Sequence, residues 1–279
     1  MTANESKRRP TRGRKLIIAA LVVGAVLVAA DYGLAAAGEY QVAQRMRHKF
    51  GLSEDPAVRI NGFPFTTQAL AGDYRDIEIS AAGVPVGDDL RNLEIRANLR
   101  HVRIGLSDLL AGNTANARID QVRGSVKIKS SDLNRLVNRV TPFNDMTIEP
   151  DNRAKREAEL EGEPAPEQAA AARKPDPTVA AVKLAGSTTV AGRKIRIAAY
   201  GTVSLIDGQI AIAVNDIDLD DTSLEGLDAV LGTVRQALGV VIDPGQLPFT
   251  ATPTAVKVES GAFIVEGTVN DIPLDQGTG

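Results

Sequence analysis

The sequence predicts an α+β fold. A long, strongly curved antiparallel sheet wraps around amphipathic helices, and an N-terminal membrane segment precedes it. Three observations carry this expectation: hairpins whose register can be written residue by residue, strands whose apolar alternation changes phase in mid-course, and a start that is basic and then apolar.

The hairpins come first. Ile195, Ile197, Ala199, Val203 and Leu205 fall on odd positions, and Ile210, Ile212 and Val214 on even ones. Between them lies Asp207-Gly208, a pair suited to a type I′ turn because both residues accept positive φ. That turn sets Ile206 opposite Gln209, Leu205 opposite Ile210, Val203 opposite Ile212 and Gly201 opposite Val214. Both apolar rows then share one face. Ser260-Gly261 makes a second such prediction, pairing Glu259 with Ala262, Val258 with Phe263 and Val256 with Val265.

The phase changes come next. Leu93, Ile95, Ala97 and Leu99 are odd, whereas Val102 and Ile104 are even, so a β-bulge is expected near Arg100-His101. Ala117 and Ile119 against Val122, Val126 and Ile128 show a second slip. Long strands interrupted in this way belong to a curved sheet. Val58–Gly62 and the segment around Ile77 and Ile79 read as further strands, with a turn or bulge at Asn61–Phe65. Three amphipathic helices are expected. Glu39–Phe50 presents Tyr40, Ala43, Met46 and Phe50 before Gly51. Ser131 caps a helix carrying Leu133, Leu136, Val137 and Val140. Thr222-Ser223-Leu224-Glu225 forms a capping box before Leu227, Leu231, Val234 and Leu238.

The start of the chain sets the topology. Residues 1–15 hold six of the 32 basic side chains and one of the 35 acidic ones. Leu16–Ala30 follows without a polar side chain, Asp31 interrupts, and Leu34–Ala37 resumes. The expected organisation is a basic cytoplasmic tail at 1–15, a transmembrane signal anchor or signal peptide at 16–37, and an extracytoplasmic domain at 38–279. Ala35-Ala36-Ala37 offers a cleavage site, and a retained anchor would keep the basic side in the cytoplasm. Either way the domain is exported. Within it, residues 149–178 hold five prolines, an alanine run and mixed charge, the composition of a disordered insertion.

Little in the sequence asks for chemistry. Beyond residue 15 the chain carries 26 basic against 34 acidic side chains, a balance that repels a phosphate backbone and argues against nucleic acid. There is no cysteine, so thiolate chemistry and Cys-ligated metal are excluded. His48 sits among Arg47 and Lys49, and His101 at the expected bulge, each reading as structural or solvated. Asp216, Asp218, Asp220 and Asp221 have calcium-loop spacing but lack its glycine and its final glutamate. They read instead as the solvent side of a half-buried strand. No metal, cofactor or enzymatic activity is expected. The long apolar face is the informative feature, and it forms either a packed core or a channel for acyl chains, gaining about 0.8 kcal/mol per buried methylene.

A set of ordered pieces adds to this reading: Val58-Arg59-Ile60-Asn61-Gly62-Phe63-Pro64-Phe65, Gln68-Ala69-Leu70-Ala71-Gly72-Asp73-Tyr74, Gly83-Val84-Pro85-Val86, Leu106-Ser107-Asp108-Leu109-Leu110 with Gly112, Gly124-Ser125-Val126, Ser131-Asp132-Leu133 and Leu247-Pro248-Phe249. In order and spacing they resemble the LmeA-like phospholipid-binding family of actinobacterial cell envelopes. The resemblance implies a tubular lipid-binding architecture, a bound phospholipid of phosphatidylinositol type, a role in synthesis or transport of lipomannan-type glycolipid, and no catalytic residue. Its implied partners are phospholipid or glycolipid, the cytoplasmic membrane and envelope glycosyltransferases. Phe63, Phe65, Leu70, Ile77, Ile79 and Phe249 are the candidates for lining the acyl site or touching the membrane, with plain core packing the rival role for the two loop phenylalanines. The rival function is a scaffold of a mannosyltransferase complex that binds no lipid.

Overall fold

The computed structural model describes residues 12–86, 90–113, 115, 117–140, 144–153, 176–190, 193–206, 209–219, 232, 241–242 and 253–273. The Asp207-Gly208 turn, the body of the 149–178 insertion, the helix expected after Thr222, and Phe249 lie outside the described residues.

The first element is a single helix, α1 (Arg12–Phe50). The apolar run and the amphipathic segment expected after it are therefore continuous, with Ala35-Ala36-Ala37 inside the helix. From Leu16 to Leu34 its large apolar side chains are exposed. Its C-terminal half docks on the domain through a stripe differing from the one expected. Asp31, Ala35, Gly38 and Ala43 are buried at helical spacing, while Tyr40 and Phe50 face outward. The stripe is made of small residues, which lets the helix approach closely: a Cβ on Gly38 would lie 3.6 Å from the Phe65 ring. Arg47, His48 and Lys49 end the helix, where cations suit the negative end of its dipole.

Strands β1 (Ala57–Asn61), β2 (Asp73–Val86), β3 (Leu90–Arg103) and β4 (Arg118–Lys129) follow, with α2 (Phe65–Ala71) and α3 (Leu106–Ala111) in their connections. Both short helices end on a left-handed glycine, Gly72 (φ 64°) and Gly112 (φ 71°), a conformation a Cβ would resist. Helix α4 (Ser130–Val140) begins one residue before the expected cap. Then come β5 (Asn144–Pro150), β6 (Val179–Val190), β7 (Arg193–Ile206), β8 (Gln209–Leu219), β9 (Val241–Ile242) and a last hairpin, β10 (Pro253–Glu259) and β11 (Ala262–Pro273). Among the described residues they form two open antiparallel sheets, ordered β1-β2-β3-β4-β11-β10 and β5-β6-β7-β8-β9. Both hairpin registers are those expected: Ile206 opposes Gln209 and Val203 opposes Ile212, and Val258 opposes Phe263 and Val256 opposes Val265.

The phase changes in the first sheet turn out to be one feature. Leu99 pairs with Ile77 and Val122, and Val102 pairs with Tyr74 and Ile119, without any shift of register. The strands invert their alternation together at the rung of His101, so no residue is inserted and the expected bulge is absent. His101 (φ 49°) and Asp271 (φ 54°) take left-handed backbone conformations on that rung, since Asn270 and Ile272 of β11 pair with Gln121 and Ile119. This crease keeps Ile77, Leu99 and Val122 on the same face as Tyr74, Val102 and Ile119. A register-shifting bulge does occur in the second sheet, between Tyr200 and Gly201. There the β8 backbone comes so close that a Cβ on Gly201 would meet Ala213 O at 2.0 Å.

Two cores result. One lies between the sheets, joining Leu93, Ile128, Val256, Phe263 and Val265 to Ile148, Val182, Leu184, Ile197, Val203 and Ile210, with Leu133 of α4. The other lies where α1 and α2 cover the far end of the first sheet, around Ile60, Phe65, Tyr74, Ile77, Val102 and Ile119. Between them Ile79, Ile95, Ala97, Leu99 and Val126 remain half-buried.

Two substitutions test this geometry. Gly201→Ala is expected to destabilise by about 3 kcal/mol in urea unfolding, because the added methyl strikes backbone that cannot yield. His101→Val should lose about 1–2 kcal/mol through its left-handed φ, whereas His101→Gly keeps or gains stability. Equal effects of the two would remove the crease as a point of strain.

Candidate functional site

The partly covered middle of the first sheet carries a cleft of about 700 Å³. Its lining follows the sheet register. Val58, Ile79, Ala97, Gly124 and Gly267 stand on one rung across five strands. The flanking rungs contribute Arg59, Glu78, Asn98, Arg123 and Thr268 on one side and Ser80, Arg96, Ser125 and Glu266 on the other. Small residues in the middle rung leave room: a Cβ on Gly124 would find only Arg96 O, at 3.9 Å. Thr254 of β10 and Glu39 of α1 complete the lining. Side chains alternate along each strand, so those of the two polar rungs lie on the face of the sheet opposite the side chains of Val58, Ile79 and Ala97. The side chains of Arg59 and Arg123 are exposed and hold no hydrogen bond or ion pair with a described residue. This is an open, mixed-polarity cleft, where a closed channel lined with Ile, Val, Leu and Ala was the sequence's alternative to a packed core.

A second cluster joins α1 to the domain. Asp31 is buried, and its carboxylate accepts from the backbone N–H of Phe65 at 2.7 Å and of Thr66 at 2.8 Å. Those amides open α2 and have no acceptor within their own helix. Two turns along α1, Glu39 accepts from Ile60 N at 2.7 Å on the edge strand β1. Inside the loop, the buried Gln68 donates to Gly62 O at 2.9 Å and accepts from Arg75 N at 3.0 Å. Tyr32 stacks on Phe63 with ring centroids 5.9 Å apart. Elsewhere, His101 contacts Asp73 at 3.2 Å, and Asp216 accepts from Arg153 at 2.8 Å, whose guanidinium also lies over the Tyr200 ring.

The candidates named from the sequence are distributed among these places. Ile79 lines the cleft. Ile77 and Phe65 are buried in the α1-side core. Phe63 is 53% exposed and Leu70 88% exposed. The sequence reading passed over Arg59, Arg123, Asp31 and Glu39. The signal for Asp31 was present, an acidic residue interrupting an apolar run, which always needs a partner. The arginines had no such signal, because only strand register brings positions 59 and 123 to one cleft.

A family model described as LmeA-like phospholipid-binding matches residues 29–268. No curated protein and no solved structure matches the chain. The matched region contains the whole contact between Asp31, Glu39 and the domain.

Removing the Asp31 carboxylate leaves two amides at the start of α2 without an acceptor. Asp31→Ala is expected to destabilise by about 2–3 kcal/mol, and Asp31→Asn by less because one oxygen still accepts. Thermal unfolding of the full chain in detergent measures both, and an unchanged midpoint for Asp31→Ala would refute the role.

Proposed function

Because the chain belongs to the LmeA-like phospholipid-binding family, we propose that it binds a phospholipid head group in the cleft of the first sheet while α1 anchors it in the cytoplasmic membrane. The observation that carries this reading is the composition of the cleft on a chain of this family. Arg59 and Arg123 are suited to a phosphodiester, since guanidinium forks match phosphate oxygens. Ser80, Ser125 and Thr268 are suited to the hydroxyls of a polyol such as inositol, while the Asn98 amide donates to Asp76. The half-buried Ile79, Ala97 and Leu99 leave apolar surface on the opposite face of the sheet, where acyl chains reaching round its edge would gain about 0.8 kcal/mol per covered methylene.

In this reading α1 is a retained anchor and not a cleaved signal. Cleavage after Ala37 would remove Asp31 and Ala35, which are buried in the domain. The basic tail then lies in the cytoplasm and the domain outside. The protein works without catalysis, holding or presenting a phosphatidylinositol-type lipid for the synthesis or transport of lipomannan-type glycolipid, with envelope glycosyltransferases as its partners. The amphipathic stretch after Thr222 is the sequence's candidate for completing a tubular wall around the lipid.

The test is lipid binding by the purified chain, read by native mass spectrometry with added phosphatidylinositol and by titration into phosphatidylinositol vesicles. The double variant Arg59→Ala/Arg123→Ala is expected to bind about 10- to 100-fold more weakly, as the loss of charged hydrogen bonds implies. Residual binding of the variant should also depend less on salt. Wild-type protein that takes up no phospholipid would overturn the function, and a variant equal to wild type would move the head group away from this cleft.

A further inference from the structure

The contact between α1 and α2 fixes a depth as well as an attachment. A helix rises about 1.5 Å per residue, and a bilayer's hydrocarbon core of about 30 Å takes about 20 residues. Counted from Leu16, directly after Arg14 and Lys15, twenty residues end at Ala35, about one helical turn beyond Asp31. Within that turn the domain is attached, through Asp31 to Phe65 and Thr66 and through Tyr32 to Phe63. With α1 read as a membrane anchor, the loop and α2 lie near the level where the helix leaves the hydrocarbon, at the border of the head-group layer.

The surface presented there suits that layer. Ile60–Gly72 contains no charged side chain. The inner side of α2 is buried through Phe65, Gln68 and Ala69, and its outer side presents Leu70, the most exposed of the large hydrophobics. Phe63 and Tyr32, 53% and 63% exposed, form a stacked aromatic pair between α1 and the loop that leads into α2. Leu70 is five residues from Phe65 along α2, a rise of only about 7.5 Å, comparable to the thickness of one head-group region. Exposed Leu and Phe on a charge-free corner are out of place in water, while stacked aromatics at this depth are the usual anchors of an interface.

We propose that Phe63 and Leu70, with Tyr32, make a second contact with the leaflet α1 has just crossed, so that the domain sits on the membrane surface and does not swing on a tether. This rests on the reading of α1 as a membrane anchor. It also relates the cleft to the membrane. Glu39 lines the cleft eight residues beyond Asp31, about 12 Å along the helix, so the cleft opens within a lipid's reach of the head groups.

The absence of cysteine allows single labels to be placed in the full chain. Val26→Cys on α1, Leu70→Cys on α2 and Ser260→Cys in the β10–β11 turn each put a fluorophore at an exposed position. The labelled chains are reconstituted in phosphatidylcholine vesicles containing phosphatidylinositol and quenched by lipids with nitroxides at the head group or in mid-chain. The expected result is quenching of the Val26 label by mid-chain nitroxide, a blue shift and head-group quenching of the Leu70 label, and a water-like Ser260 label. A quenched Val26 label with a water-like Leu70 label overturns the docking and leaves the anchor standing. A water-like Val26 label overturns the anchor and the docking with it. Equal quenching at Leu70 and Ser260 overturns the claim that this corner is the contact.

Discussion

The buried carboxylate of Asp31 is the constraint on which the arrangement of this protein depends. It sits on the helix whose preceding turns are apolar and exposed, and its two oxygens take the first amides of α2. A carboxylate at that depth would be very costly without partners. The unbonded amides of a helix start are equally in need of an acceptor. Each solves the other's problem, and the result is a buried polar contact between the apolar N-terminal helix and the folded domain. Glu39 repeats the device on the exposed edge of β1, where it accepts an N–H that no neighbouring strand reaches. An edge occupied in this way is also protected from pairing with another chain.

The domain that hangs from this connection is two open sheets with a shared apolar face. The second sheet covers one end of the first and the α1–α2 pair covers the other, so the middle is left partly open. What makes the opening is the run of small residues Ala97, Gly124 and Gly267 on one rung, with Arg59, Arg96 and Arg123 on the rungs beside it.

The crease at His101 shows how such a sheet bends without losing its pairing. Inverting the alternation of a single strand would turn its apolar residues outward. Here neighbouring strands invert on the same rung, so Tyr74, Val102 and Ile119 meet one another as Ile77, Leu99 and Val122 do. The left-handed backbone at His101 and Asp271 is the local strain that accompanies this turn.

Much of the local structure was legible in the chain alone. The two hairpin registers followed from turn chemistry and alternation, because a two-residue loop leaves a single way to align the apolar rows. The phase changes at 99–102 and 119–122 were visible too, although a lone strand cannot tell a bulge from a crease. Family membership was legible from ordered motifs spread over most of the domain. Helices α2 and α3 were not, since six or seven residues are too few to show a helical period. The docking face of α1 was misjudged for a related reason. Ala43 lay on the expected side, but Ala35 and Gly38 carry little hydrophobic signal, and close approach to the Phe65 ring favours a small residue at Gly38. By itself, then, the sequence determined which residues alternate, where strands turn and that an apolar helix leads the chain, because those are short-range consequences of side-chain type. Only the tertiary structure decided that Asp31 belongs to α2, that Arg59 and Arg123 share one cleft, and that the C-terminal half of α1 packs on the domain. Such groupings depend on strand register and on satisfying buried polar groups across long sequence separations, which no local pattern encodes.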